Sequence, residues 1–397
     1  MNEGFDFDEV INRREVPALK VHRMVLGTDG MDLFASGVAD MDFRAPPVVL
    51  DAMARRAAHG IFGYEAVPDG LVPALTDWLK LRHGWHVNPD HILRAPNVLN
   101  SLSMAANLFT DPGDGIIVQP PVFFDFADII AGNGRRMVTN PLILSGGRYE
   151  MDFDGLEECA ADPCSRMLLL CNPHNPVGRV WSKAELARLG AICRKHGVVV
   201  VSDEIHGDIT FAGHPYTPFA SISYEDAQNN ITCLSPAKSF NIAACCSAFT
   251  VVPDQARRDA FKAENSRLTV NKNNAFASVA MQAAYLKGGA WLDAVTAYIE
   301  ANLARVRERI ADVPEVMLIE PEGTFLLWLD LRRLGLEPEK LTEFLRREAG
   351  WAITRGIAFG EGGAGFGRLN IACSYAHLDR ALDDLINAIS RNRGTLT

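Results

Sequence analysis

The stretch RMLLLCNPHNPVGRVWSKAELARLGAICRKHGVVVVSDEIH, residues 166–206, decides the fold. Segments 166–172 and 198–202 are short, largely apolar runs, the pattern of strands covered on both faces. Between them, 182–196 reads as a helix. Ser182 and Glu185 have the spacing of a capping box, and Leu186, Leu189, Ile192 and Cys193 fall on one stripe. Gly197 then stops the helix. Strand, helix, strand in that order implies a parallel α/β sheet.

Outward from this unit, further strands are expected at 115–119, 230–235 and 248–252. The pattern changes past residue 288. A long amphipathic helix at 291–311 is followed by strand candidates at 316–320 and 324–331. A helix, strands near 351–354 and 368–373, and a last helix complete the chain. This predicts an α/β fold with a large domain around a mostly parallel sheet (47–287). A smaller α+β domain would be formed by 288–397 together with 1–46, which carries too little apolar sequence to fold alone.

The 397 residues exceed what one hydrophobic core usually organises, in keeping with two domains. A net charge of −10 argues against a nucleic-acid partner. The acidic start MNEGFDFDEV lacks the basic and apolar runs of a secretory signal. No apolar stretch reaches the ~20 residues that span a bilayer. The cysteines are scattered and no C-x-x-C occurs, so neither a disulfide framework nor a metal site is expected. Cys245 and Cys246 read as small buried hydrophobes. A cytoplasmic protein is the expectation.

In an open parallel sheet, ligands bind outside the carboxyl ends of the strands. Three polar segments fall there: Asn172–Gly178 (NPHNPVG), 202–206 (SDEIH) and 235–241 (SPAKSFN). A fourth, 368–374 (RLNIACS), lies on a late strand of the second domain. No G-x-G-x-x-G follows an expected strand, against a NAD-binding protein.

Together with ADMDF (39–43), GIFGY (60–64) and AKSFNIA (237–243), these segments resemble the fold-type I pyridoxal-phosphate (PLP) enzymes over nearly the whole chain. Within them the chain is most similar to the cystathionine β-lyase-like C–S lyase branch of the class I/II aminotransferases. Each motif alone is weak; their joint order is specific.

The resemblance implies PLP as cofactor, carried by Lys238 as an imine. Asp203 would hold the pyridine nitrogen protonated, making the ring an electron sink. Asn175 would bind the ring 3-oxygen and help hold the substrate. His206 stands where the C–S lyase branch often has histidine and aspartate-type aminotransferases have tyrosine. Arg368 would clamp the substrate α-carboxylate, for which a planar guanidinium is matched. The N–H groups of Val98 and Leu99 and the Ser235 hydroxyl would hold the phosphate. Tyr64 would reach the phosphate of the neighbouring subunit in a homodimer. Phe123 would stack on the ring.

Four positions depart from the family pattern. Asn97 stands in place of a glycine, and Asn tolerates the left-handed backbone such a loop would need. Phe123 replaces a tyrosine and so removes a phenol. Ala237 replaces a common serine. Cys246 occupies the place of a phosphate-binding arginine, which the C–S lyase branch also lacks. The implied activity is α,β-elimination of L-cystathionine or a cysteine S-conjugate to pyruvate, ammonia and a thiol. An aminotransferase is the alternative, and a regulatory protein with secondary catalysis a lesser one.

Overall fold

The computed structural model describes residues 4–27, 32–270 and 272–393. Seven strands form the main sheet. Their order across it is Ile92–Ala95, Ala248–Val251, Asn230–Leu234, Val199–Asp203, Ser165–Cys171, Gly115–Val118 and Arg136–Thr139. Pairing is parallel throughout except at Ala248–Val251, which runs antiparallel to both neighbours. The run 248–252, expected as a strand of the mostly parallel sheet, is its antiparallel member: an apolar run reports burial, not direction.

Alternation along the strands splits the core into two layers. Met167, Leu169 and Val201 face the helix Val98–Phe109 and Phe126. Leu168, Leu170 and Val200 face Leu186, Leu189 and Cys193 of the helix Lys183–His196. Each such side chain contributes about 1.5–3 kcal/mol on burial. That helix begins with the capping box Ser182–Glu185 and ends at Gly197, at φ 71°.

Two strands of the main sheet were missed. Arg136–Thr139 is an edge strand with mostly exposed residues, and Ile92–Ala95 is the opposite edge and carries Arg94. An edge strand has one pairing partner and more solvent, so its sequence lacks the apolar run that marks a central one.

The smaller domain holds a four-stranded antiparallel sheet, ordered Met317–Ile319, Leu326–Asp330, Phe366–Asn370 and Thr354–Arg355. Helices Gly289–Ile310 and Tyr375–Asn392 contribute to its core. The expected strand near 351–354 is two. Trp351–Ala352 pairs in parallel with Phe34–Ala35, and Thr354–Arg355 pairs with the strand carrying Arg368. The N-terminal segment is further tied down by Ser36 Oγ, which donates to the Asn370 carbonyl at 2.6 Å. Lys20 and Arg13 both pair with Asp42, at 3.0 and 2.8 Å.

The eight cysteines are free, but Cys245 and Cys246 are only half-buried, which corrects their reading as core residues. Among the described residues no helix is long and apolar enough to cross a membrane.

Candidate active site

A cavity of about 380 Å³ opens at the carboxyl ends of the main-sheet strands. Lys238 enters it from the turn that follows Asn230–Leu234, where Phe240 N donates to Pro236 O and Ile242 N to Ala237 O. Its Nζ donates to the Ala39 carbonyl at 2.6 Å, inside the ADMDF segment. Burial and the Arg368 guanidinium push its pKa down, with Asp40 and Asp203 opposing. A depressed amine carries more of the neutral form that attacks carbonyls and accepts protons.

Asp203 ends the adjacent strand and is 4% exposed. Its Oδ1 accepts one bond, from Ile205 N at 3.1 Å. Burial pushes its pKa up to about 7, against the pull of that N–H and of Lys238. His206 lies beside it, with Nδ1 buried and without a partner. Burial, with Lys238 and Arg368 nearby, lowers the His206 pKa to about 3, so the ring is neutral.

Arg368 is 2% exposed and, among the described residues, meets no carboxylate. Its Nη1 donates to Asn175 Oδ1 at 3.0 Å, and its Nη2 to Gly37 O at 2.5 Å and Thr354 Oγ1 at 3.2 Å. Its Nε has no partner. Burial pulls its pKa down to about 9, which still leaves it charged at neutral pH.

At the other end of the cavity, Val98 and Leu99 open the helix Val98–Phe109. Their N–H groups have no intrahelical acceptor, the usual setting for an anion. Asn97 is the N-cap: its side chain accepts from Asn100 N at 2.8 Å. Its φ is −161°, extended backbone, so the left-handed expectation is corrected. Ser235 also lines the cavity, but its hydroxyl donates to Ser247 O at 2.8 Å and accepts from Ala237 N at 3.2 Å. It would have to rotate to give its proton to a phosphate.

Phe123 lines this cavity and a second, outer one of about 680 Å³. The outer cavity is walled by the small-domain strands and by Leu341 and Leu345 of the helix Pro338–Arg347. Asp125 faces both cavities and was missed by the sequence reading, which stopped at Phe123. Cys246 lines the inner cavity, its Sγ 3.4 Å from Ser235 Oγ. Tyr64 is not brought to the site. It is fully exposed in a separate groove of about 870 Å³, beside Arg55, His59 and Lys287.

The cavity fits PLP. It holds an amine for the aldehyde, an enclosed carboxylate lacking a cationic partner, an unpartnered neutral imidazole, an aromatic wall and an open helix N-terminus. Its volume lies in the range of small-molecule sites.

The profile of the aminotransferase class I and II family matches residues 29–385. The chain is 42% identical over 364 residues to cystathionine β-lyase PatB of Bacillus subtilis, covering 91% of this chain and 93% of that one. A PLP-bound aminotransferase candidate from Clostridium difficile superposes with a TM-score of 0.94 at 38% identity, over 97% of this chain and 100% of its own. Cystalysin from Treponema denticola, which contains PLP, superposes with a TM-score of 0.93 at 31% identity, over 98% and 99%. Motif order, sheet topology and overall similarity agree, and the chain belongs to the class I and II aminotransferase family.

Proposed function

We propose that this protein is a PLP-dependent carbon–sulfur β-lyase, converting L-cystathionine or a related cysteine S-conjugate to pyruvate, ammonia and a thiol. The observation that carries the reading is the joint enclosure of Lys238, Asp203 and Arg368 without, among the described residues, the ionic partners that buried charges ordinarily need. The similarity to PatB supports the choice of chemistry.

PLP, when bound, supplies an electron sink for the charge left at the substrate Cα. Lys238 would anchor the cofactor, and its amine, when free, would take the Cα proton. Asp203 would hold the pyridine nitrogen protonated, and its carboxylate would gain there the cationic partner it otherwise lacks. Asn175, His206 and Phe123 would hold the ring, and Val98, Leu99 and Ser235 would take the phosphate. Arg368, steadied by Asn175, fixes the substrate carboxylate and thereby aligns the Cα–H bond for removal.

An aminotransferase shares these steps and differs only in where the proton returns. The test is a product assay on the PLP-loaded protein given L-cystathionine without a keto acid. Pyruvate and ammonia over many turnovers establish the lyase. A shift of the cofactor to its pyridoxamine form, reversed by a keto acid, makes it an aminotransferase.

The proposal extends to a cytoplasmic homodimer in which Tyr64 serves the neighbouring site. Exposed Ile61 and Phe62 beside the Tyr64 groove support a covering partner. It also takes 47–287 as the large domain, and 1–46 with 288–397 as the small one. Gly288, between helices Ala275–Lys287 and Gly289–Ile310, supports that boundary.

A further inference from the structure

The loop that covers the cofactor cavity reads Phe123-Phe124-Asp125. Neither phenylalanine can give or take a proton. Asp125 can, and it faces both the inner cavity, with Lys238, and the outer one, with Lys238 and Arg368. It is the first residue of the helix Asp125–Gly132 and is half-buried. Among the described residues its carboxylate makes no hydrogen bond or ion pair. The other titratable groups lining the inner cavity have the tasks assigned above or are thiols whose pKa burial pushes up, Cys171 and Cys246.

We propose that Asp125 is the acid that protonates the departing sulfur. This rests on the β-lyase reading. The electron pair freed from the Cα–H bond forms the Cα=Cβ bond, and the Cβ–S bond breaks with its pair going to sulfur. The Asp125 carboxyl proton goes to that sulfur, so a neutral thiol leaves. The carboxylate regains a proton from water through the outer cavity before the next turnover. An alkyl thiolate is a poor leaving group, so this is the step at which a positioned acid has most to contribute.

Burial and Asp128, on the same helix, push the Asp125 carboxyl above the usual carboxylate range. Lys238 and Arg368 pull the other way. The net direction favours a group that holds a proton until one is needed.

The test compares wild type, Asp125→Asn and Asp125→Glu as holoenzymes on S-ethyl-L-cysteine, S-phenyl-L-cysteine and β-chloro-L-alanine. Chloride leaves without a proton, and a thiophenol needs one less than an alkyl thiol does. Asp125→Asn is expected to lose roughly 100-fold in kcat on the ethyl substrate. The loss should be smaller on the phenyl substrate and under about twofold on the chloride, with Asp125→Glu recovering part of the first. Equal losses on all three, or none on any, overturn the proposal while leaving the lyase reading intact. No pyruvate from wild type with any substrate overturns the lyase reading itself. A readout without turnover is the infrared titration of the carboxyl, wild type minus Asp125→Asn. A midpoint above 3.8 is expected; one at or below it contradicts the proposal.

Discussion

Two buried arginines show what separates a structural charge from a functional one. Arg179 is 1% exposed and fully neutralised. Its Nε donates to Glu322 Oε2 at 2.9 Å and its Nη2 to Glu185 at 2.9 Å, while its Nη1 donates to the Tyr149 carbonyl. Glu322 in turn accepts from Val180 N at 2.9 Å. Arg368 is as buried but meets only neutral acceptors and keeps an idle Nε.

Two aspartates repeat the contrast. Asp208 accepts from Trp78 at 2.8 Å and Ser239 at 2.8 Å and lies 2.8 Å from His83 Nε2; these contacts hold its pKa down against burial. Asp203 has one N–H donor and drifts up. A fold that completes the hydrogen bonding of one set and leaves the other short has reserved the second for something that binds.

The largest effect should come from Lys238→Ala. It should abolish the absorbance of the lysine-bound cofactor and lower turnover by at least ~10⁴-fold, with the melting curve of the cofactor-free protein intact. Near-wild-type turnover would break the comparison at its centre. Next is Arg179→Met, which takes from Glu185 its arginine partner and leaves Glu322 with the partly exposed Arg148. It should destabilise by about 3–5 kcal/mol in denaturant titration, with substrate affinity in the folded fraction unchanged.

Arg368→Met should invert that pattern. Removing an uncompensated charge at similar volume should leave stability within about 1 kcal/mol of wild type or raise it. Lost carboxylate recognition should lower kcat/KM roughly 100-fold, mostly through KM. Similar behaviour of the two arginine variants would show the distinction to be false.

Asp203 sharpens the comparison through pH. Its folded value of about 7 lies above the ordinary 3.8, so the cofactor-free protein should lose stability as pH rises from about 4 to 7. Asp203→Asn should remove that loss. The PLP-free variant should match wild type at pH 4 and exceed it at pH 8 by on the order of 4 kcal/mol. Identical pH profiles would contradict the raised value.

The smallest effect belongs to Ser182→Ala, far from the cavity. Losing half of the capping box should cost about 1 kcal/mol and leave turnover unchanged.

What could be read in the sequence follows the same division. The central strands were legible because burial on both faces demands an apolar run, as at Val199–Asp203. The helix Lys183–His196 was legible because its cap and stop are local. Lys238 and Asp203 were legible in motifs at strand ends, and Arg368 in a motif on a late strand. Edge strand Arg136–Thr139 was not, because exposure allows a polar sequence. Nor was the single hydrogen bond of Asp203 or the idle Nε of Arg368, since an absent partner leaves no mark in a sequence. Asp125 was passed over because only the fold turns the residue after two phenylalanines towards Lys238.

The most direct test of the account is borohydride reduction of the PLP-loaded protein followed by peptide mapping in a mass spectrometer. The account requires the reduced pyridoxyl adduct on Lys238, in the peptide containing SPAKSFN, and its loss when L-cystathionine is present at saturation. An adduct on another lysine, or none on Lys238, would contradict it.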